Sequence, residues 1–262
     1  MLFRVWNIAP EAMPVNARHL STDRTYRDSV RPQDGEVRFQ VGVEQTDLLV
    51  VAEKDLQVEI ASHVSQVRGE IKNWIMFHPE FGESLEPVEV PGSAPEVIRS
   101  MARAGAVCNV GPMAAVAGAV AQSVGDRFAP VSPNILVENG GDTYLHSTRE
   151  RVVALLAEPD SGAMVGLRIE AGTFPVAVCA SSATIGHSLS LGSGDLVAVL
   201  ARDACLADAA ATALCNRLKS EVDIDGVLKE AQTLAEHGLL GVFAQFDQKI
   251  VAWGDLELVA LD

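Results

Sequence analysis

Aromatic and basic side chains are both scarce in this chain. Phenylalanine, tryptophan and tyrosine together make up 5% of its 262 residues, so alanine, valine and leucine must form most of the core. There are 20 lysines and arginines against 35 aspartates and glutamates, which gives a net charge of −15. A surface of that charge repels phosphate backbones and anionic lipid headgroups. The composition therefore argues against a nucleic-acid-binding protein and against one that binds membranes.

Cysteine is also rare, and a long apolar run is absent. None of the four cysteines belongs to a Cys-x-x-Cys pair, and each has apolar neighbours, so we expect buried free thiols rather than disulfides or zinc ligands. The longest apolar stretch, Met113 to Ala121, is too short to span a bilayer. The first 20 residues lack the continuous apolar run of a secretory leader. These features predict a cytoplasmic protein.

Hydrophobic periodicity predicts both strands and helices. Polar and apolar residues alternate over Glu36–Val43, which predicts a strand, whereas helical spacing runs from Asp55 to Met76. A second helix is predicted after Gly111. Strands and helices mix without regular alternation, so we predict an α+β fold with mixed or antiparallel sheets and packed helices. The length favours one domain over residues 1–262, with any division into two intimate lobes falling at the Pro- and Gly-rich segment 78–93.

A predicted helix over Ala204–Leu218 places two oxygen-bearing side chains on one face. Asp208 and Thr212 are four residues apart and therefore lie one turn apart. A carboxylate and a hydroxyl are hard oxygen ligands, which suit Mg²⁺ or Ca²⁺. The structural alternative is that the aspartate interacts with the helix dipole and the threonine bonds back to the preceding turn. The spacing alone leaves both interpretations open.

Two glycine segments could approach a ligand closely. Gly111 precedes a predicted helix start, where free N–H groups can bind phosphate, although an apolar core helix also explains the segment. Gly140 and Gly141 end an apolar strand before Asp142, and adjacent glycines permit positive φ, in a ligand site or in an ordinary hairpin. His187 has no carboxylate within seven residues, so its surroundings do not predict a catalytic histidine.

Taken in order, these segments resemble the FAD:protein FMN transferase (ApbE-like) superfamily. The resemblance is carried by the Gly-x-x-Ala helix start at Gly111, the strand end Asn139–Asp142 and the Ala-Asp-x-x-x-Thr element Ala207–Thr212. It runs from about Pro87 to the C-terminus and implies an ApbE-like (T-fold-like) architecture. Members bind FAD and use Mg²⁺ to transfer FMN onto a threonine or serine of a target flavoprotein.

The resemblance also implies roles for individual residues. Magnesium is expected at Asp208, Thr212 and the backbone carbonyl of Ala114. The residues expected to bind the flavin nucleotide are Gly111, Ala114, Gly140, Gly141, Asp142 and His187. No catalytic residue is assigned. The chain departs from the family motif because its second glycine is Pro112 and its lysine falls on Ala115.

Three functional hypotheses follow. The first is a protein that binds a flavin or another nucleotide without catalysing transfer, which the missing lysine favours. The second is an active FMN transferase acting on a target flavoprotein, which the surviving Asp208–Thr212 pair favours. The third is an interaction protein or homo-oligomer with a vestigial pocket, in which the small-residue helices around Ala114–Ala121 and Ala207–Ala213 serve only packing.

Overall fold

The computed structural model describes residues 4–7, 27, 30–155, 164–182, 196–247 and 249–261. The strands are β1 (Arg4–Asn7), β2 (Val37–Val43), β3 (Thr46–Ala52), β4 (Ile135–Asn139), β5 (Asp142–His146), β6 (Arg151–Leu155), β7 (Met164–Ile169), β8 (Val176–Ser181), β9 (Leu196–Ala201), β10 (Leu239–Phe246), β11 (Lys249–Gly254) and β12 (Glu257–Leu261). The α-helices are α1 (Gln57–Phe77), α2 (Pro79–Glu83), α3 (Glu96–Cys108), α4 (Val116–Phe128), α5 (Ala204–Arg217) and α6 (Ile224–Leu234). A 3₁₀ turn, Pro112–Ala115, leads directly into α4.

The strands form two antiparallel sheets. The larger sheet has the order β1-β11-β10-β9-β8-β5-β4-β3-β2, and the smaller has the order β12-β7-β6. Every strand pairing within the described residues is antiparallel. The predicted α+β class is therefore confirmed.

The larger sheet separates two hydrophobic cores. Because side chains alternate across a strand, Tyr144 of β5 faces the helices while its neighbour Leu145 faces the smaller sheet. On β8, Cys179 faces the helices and its neighbour Val178 faces the smaller sheet. The result is three layers, with helices, the large sheet and the small sheet stacked in that order. The helix-side core is built mainly from alanine, valine and leucine, as the low aromatic content predicts.

Helix α5 lies in the middle of the helical layer. Eleven of its fourteen residues are buried, which explains why alanine dominates it. The side chain of Asp203 caps its start by accepting a hydrogen bond from the Leu206 N–H at 2.9 Å. Gln122 of α4 accepts a second one from the Ala204 N–H at 2.7 Å. The beginning of α5 is thus fixed to the middle of α4.

The segment 78–93, predicted as a loop or a seam, contains the short helix α2. Its Phe81 is fully buried in the helix-side core, so this segment contributes to the packing although proline and glycine punctuate it. The predicted helix after Gly111 begins as the 3₁₀ turn and becomes α-helical at Val116. Pro112 occupies the first position of that turn, where its missing N–H costs nothing.

The four cysteines are all buried and free, as expected from the sequence: Cys108, Cys179, Cys205 and Cys215. Within the described ranges, no single helix has both the length and the apolar composition needed to cross a membrane. One pair in the described part of the chain, Glu96–Cys108 with Pro112–Phe128, meets those criteria together, and it is bent by 107°.

Candidate functional site

Asp208 lies buried between α5 and the first turn of α4. One oxygen of its carboxylate, Oδ2, accepts a hydrogen bond from the Gly118 backbone N–H at 2.8 Å. The first N–H groups of a helix have no partner within the helix and carry its partial positive charge. Burial raises the pKa of this carboxylate to about 7, and the N–H groups of Gly118 and Ala117 only partly oppose that rise. The start of α4 therefore holds the Asp208 side chain in one orientation.

Gly118 makes this approach feasible because it has no side chain. A Cβ at that position would lie 2.2 Å from the carbonyl oxygen of Ala204 and 3.0 Å from the Cβ of Asp208. Real Cβ atoms do not come that close to other atoms, so any larger residue would force α4 and α5 apart. Sequence reasoning missed Gly118. Its only signal was an isolated glycine inside a predicted helix, which often marks close packing.

The Gly140-Gly141 turn places Asp142 in the same region as Asp208 and the start of α4. The two glycines have φ values of 70° and 107°, so the predicted positive φ is confirmed at both. They connect β4 to β5, and Asn139 pairs with Asp142 across the turn. The Asn139 side chain donates a hydrogen bond to the Ala117 carbonyl at 3.1 Å. This bond ties the turn to the start of α4, beside the N–H groups that hold Asp208.

Asp142 is buried, with an exposed fraction of 6%. Burial raises the pKa of this carboxylate, and the Cys179 side chain and the Ala180 N–H of the neighbouring strand β8 partly oppose that rise. The Cys179 thiol itself donates to the Ala204 carbonyl at 3.8 Å. One oxygen of Asp142, Oδ1, has no hydrogen-bond partner among the described residues. A buried oxygen without a donor is costly and calls for an explanation such as a bound ion.

The two carboxylates influence each other electrostatically. Burial raises the pKa of Asp142 well above its usual range, and the nearby charge of Asp208 raises it further. Burial also raises the pKa of Asp208, although the hydrogen bonds from Gly118 and Ala117 oppose the shift. No positive side chain of the described residues lowers the pKa of Asp208. Two buried carboxylates without a positive partner form an environment that favours a cation.

The other predicted site residues lie in different situations. Thr212 is half-buried, one turn after Asp208 on α5. A Cβ on Gly111 would lie 1.9 Å from the carbonyl oxygen of Ser84, so this glycine is needed for packing against the segment after α2.

The Ala114 N–H donates a hydrogen bond to the Gly111 carbonyl. The backbone groups at Asp208 belong to Ala117 and Gly118, one turn beyond Ala114. His187 lies outside the described residues.

The donor set at this place fits a hard divalent cation. It comprises the two carboxylates of Asp142 and Asp208 and the Thr212 hydroxyl one turn further along α5. Oxygen donors of this kind suit Mg²⁺, Mn²⁺ or Ca²⁺ rather than Zn²⁺. Across the part of the chain that the structure describes, no group of three or more His, Cys, Asp and Glu side chains could hold a metal. Any metal here must therefore use hydroxyl or backbone oxygens as well.

A second polar cluster lies further along the same face of β5. Asp126 Oδ1 accepts hydrogen bonds from the Tyr144 hydroxyl and from His146 Nε2, both at 2.8 Å. Burial alone would raise the pKa of Asp126, but the hydrogen bonds from His146 and Tyr144 outweigh it and lower the pKa. Sequence reasoning did not find this cluster, because its members come from a helix and a strand about 20 residues apart.

Comparison with known proteins gives consistent results. The family model described as AbpE bacteria matches residues 28–244. The UPF0280 protein of Methanocaldococcus jannaschii is 36% identical over 228 residues, which cover 84% of this chain and 92% of that protein. The UPF0280 protein of Methanoculleus marisnigri is 39% identical over 224 residues, covering 84% and 89%.

Solved structures extend the comparison to the fold. The flavinyl transferase ApbE of Pseudomonas stutzeri has a TM-score of 0.55 at 12% identity, covering 84% of this chain and 94% of that one. The ApbE protein of Thermotoga maritima has a TM-score of 0.51 at 12% identity, covering 85% and 96%. At such identities the likeness establishes the fold, and the predicted ApbE-like architecture is confirmed. The chain therefore belongs to the family described as AbpE bacteria, as a divergent ApbE-like protein with UPF0280 relatives.

Proposed function

We propose that this protein binds a flavin nucleotide, FAD or FMN, together with a divalent cation held by Asp208 and Thr212. The observation that carries the proposal is the buried carboxylate of Asp208, oriented by the N-terminus of α4 and lacking a positive partner among the described residues. A solved structure of the same fold is named a flavinyl transferase. Mg²⁺ is the cation that the oxygen donors and the family resemblance favour.

Each residue of the site has a part in this proposal. Asp208 and Thr212 supply a carboxylate and a hydroxyl, and the backbone carbonyl of Ala114 stays the expected third ligand. The cation, when bound, would neutralise negative charge on the nucleotide phosphates. Gly140 and Gly141 keep the turn free of side chains, so the nucleotide can approach the backbone there. The role of His187 stays a prediction.

Binding without transfer is favoured by the position where the family motif has its lysine. Ala115 is fully buried, with an exposed fraction of 0%. Even a longer side chain at this position would begin inside the core rather than beside a ligand. The second candidate function, FMN transfer, would break the FAD diphosphate bond and form a bond between the FMN phosphorus and a target hydroxyl oxygen. AMP would leave with the electron pair and the hydroxyl proton would pass to water.

A flavin titration tests the proposal. FAD fluorescence is followed as protein is added in the presence of Mg²⁺, then after EDTA, then after Mg²⁺ is restored. We expect saturable binding that EDTA reverses and Mg²⁺ restores. Absence of FAD and FMN binding in every condition would contradict the proposal. Covalent flavin on a hydroxyl-bearing target flavoprotein, detected after denaturation, would instead identify the protein as a transferase.

Three further properties stay predictions: a cytoplasmic location, a target flavoprotein and homo-oligomer formation. The last of these also belongs to the alternative in which the protein acts only in assembly. Sedimentation of the wild type and of Asp208→Asn addresses that alternative. Identical assembly of the two proteins, together with absent nucleotide binding, would favour it.

A further inference from the structure

We propose that Asp142 is a direct ligand of the same cation, so that the site is built from two carboxylates on opposite sides, one from α5 and one from the Gly-Gly turn. This inference rests on the cation in the proposed function but not on the flavin. It changes the role expected for Asp142, which the resemblance assigned to nucleotide binding.

The first supporting observation is the unsatisfied oxygen of Asp142. The side chain is more than nine-tenths buried, and its Oδ1 has no hydrogen-bond donor within the described residues. The Cys179 side chain and the Ala180 N–H of β8 lie near the same carboxylate and partly oppose the rise of its pKa on burial. One buried oxygen of this carboxylate is thus left without a donor. Burial of such an oxygen is tolerated where a cation completes its coordination.

The second observation is the position of Asp208. The charge of this residue acts on Asp142, although the two belong to elements far apart in the sequence. Neither carboxylate forms an ion pair with a lysine, arginine or histidine of the described residues. Two buried like charges placed together repel one another, and either a proton on one carboxylate or a cation between the two relieves this repulsion. A shared cation does so and also uses the free Oδ1.

The third observation is that the backbone is built to bring the two residues together. Asn139 bonds to the Ala117 carbonyl at 3.1 Å, while Gly118, the next residue along α4, donates to Asp208 at 2.8 Å. The start of α4 thus holds the turn that carries Asp142 on one side and the helix that carries Asp208 on the other.

The test uses Mn²⁺ alone as the probe, because its EPR signal reports the free ion without any flavin. Wild type, Asp142→Asn, Asp208→Asn and the control Asp225→Asn, an exposed aspartate on α6, are titrated with Mn²⁺. We expect each of the first two substitutions to weaken Mn²⁺ binding at least tenfold and the control to leave it unchanged.

Thermal denaturation of each protein in EDTA accompanies the titration. Asp142→Asn should melt no lower than wild type, because it removes one of two buried like charges.

The outcomes separate this inference from the proposed function. Mn²⁺ binding by Asp142→Asn equal to wild type, with binding lost in Asp208→Asn, would overturn the role of Asp142 while the cation at Asp208 stands. Absence of Mn²⁺ binding in the wild type would overturn this inference and the cation at Asp208 together. Flavin binding in EDTA would then decide separately whether the flavin part of the proposed function survives. If Asp142→Asn melts well below wild type, the rescue variant Asp142→Glu decides, because restored Mn²⁺ affinity supports ligation and its absence overturns it.

Discussion

The Asp208 carboxylate on α5 accepts a hydrogen bond from the Gly118 backbone N–H on α4, across a separation of 90 residues. This contact determines how closely the two helices pack and where the carboxylate points. It also connects the candidate site to the core. Gly118 has no side chain, so its backbone packs directly against the beginning of α5. Stability and ligand binding should therefore respond together to changes at this contact.

The substitution Gly118→Ala should impair both properties. The added methyl group would lie 2.2 Å from the Ala204 carbonyl oxygen, so α4 and α5 must separate. Overpacking of this kind costs about 1–3 kcal/mol of unfolding free energy, or more where backbone must move. Urea denaturation measures this loss, and Mn²⁺ titration should show weaker binding.

A matched control exists in α1. A Cβ on Gly69 would meet nothing within 4 Å, and alanine is the better helix former by up to about 1 kcal/mol. Gly69→Ala should therefore keep or raise the unfolding free energy and leave Mn²⁺ binding unchanged. Equal stability of the Gly118→Ala and Gly69→Ala proteins would contradict the packing account.

The substitution Tyr144→Phe should destabilise the protein moderately at neutral pH. It removes the buried hydroxyl that donates to Asp126 at 2.8 Å. A hydrogen bond to a charged group contributes up to about 3 kcal/mol, but Asp126 is half exposed, so we expect about 1 kcal/mol. A double-mutant cycle with Asp126→Asn isolates the pair. A coupling energy near zero would show that the bond contributes nothing.

The same bond has a defined pH dependence. Burial would raise the pKa of Asp126, but the hydrogen bonds from His146 and Tyr144 hold it below its usual value in an unfolded chain, so the folded state binds fewer protons than the unfolded chain. The stabilisation from this group is complete above that unfolded value and is lost as pH falls through the lower pKa of the folded state. The difference in melting temperature between wild type and Tyr144→Phe should therefore shrink in strong acid. A difference that grows as the pH falls would contradict the assignment.

The cysteines should not react with thiol reagents in the native protein. Burial raises the pKa of Cys108 to about 12 and raises the pKa values of Cys179 and Cys205 as well. The thiolate is the form of cysteine that reacts. The four thiols are buried away from the reagent, and the raised pKa values keep Cys108, Cys179 and Cys205 protonated. A disulfide-exchange reagent at pH 8 should titrate none of the four thiols in buffer and all four in guanidinium. Rapid labelling of the folded protein would show that a thiol is exposed.

The sequence predicted the local features of the site well. Helical spacing placed Asp208 and Thr212 on one face of α5, and the double glycine predicted the positive φ values at the β4–β5 turn. Both depend on residues within a few positions of one another. Periodicity likewise found α1, α5 and the antiparallel strands, because burial patterns repeat along each element.

Features that depend on distant contacts were not predicted. Nothing near Gly118 in the sequence shows that the carbonyl of Ala204 will pack against it. The resemblance assigned the Ala114 carbonyl to the metal, which stays a prediction, but no sequence signal showed that the N–H groups of Gly118 and Ala117 would meet Asp208. The lack of a hydrogen-bond donor for Asp142 Oδ1 is a property of the assembled core. These features arise from packing between layers, which a single sequence does not specify residue by residue.

The most direct test is calorimetric titration of FAD into wild type, Asp208→Asn and the control Asp225→Asn, each with Mg²⁺ and with EDTA. The account predicts saturable FAD binding by wild type and the control in Mg²⁺ only, and at least tenfold weaker binding by Asp208→Asn. FAD binding that is unaffected by both EDTA and Asp208→Asn would contradict the cation at Asp208. The absence of any binding by the wild type would contradict the flavin-binding function itself.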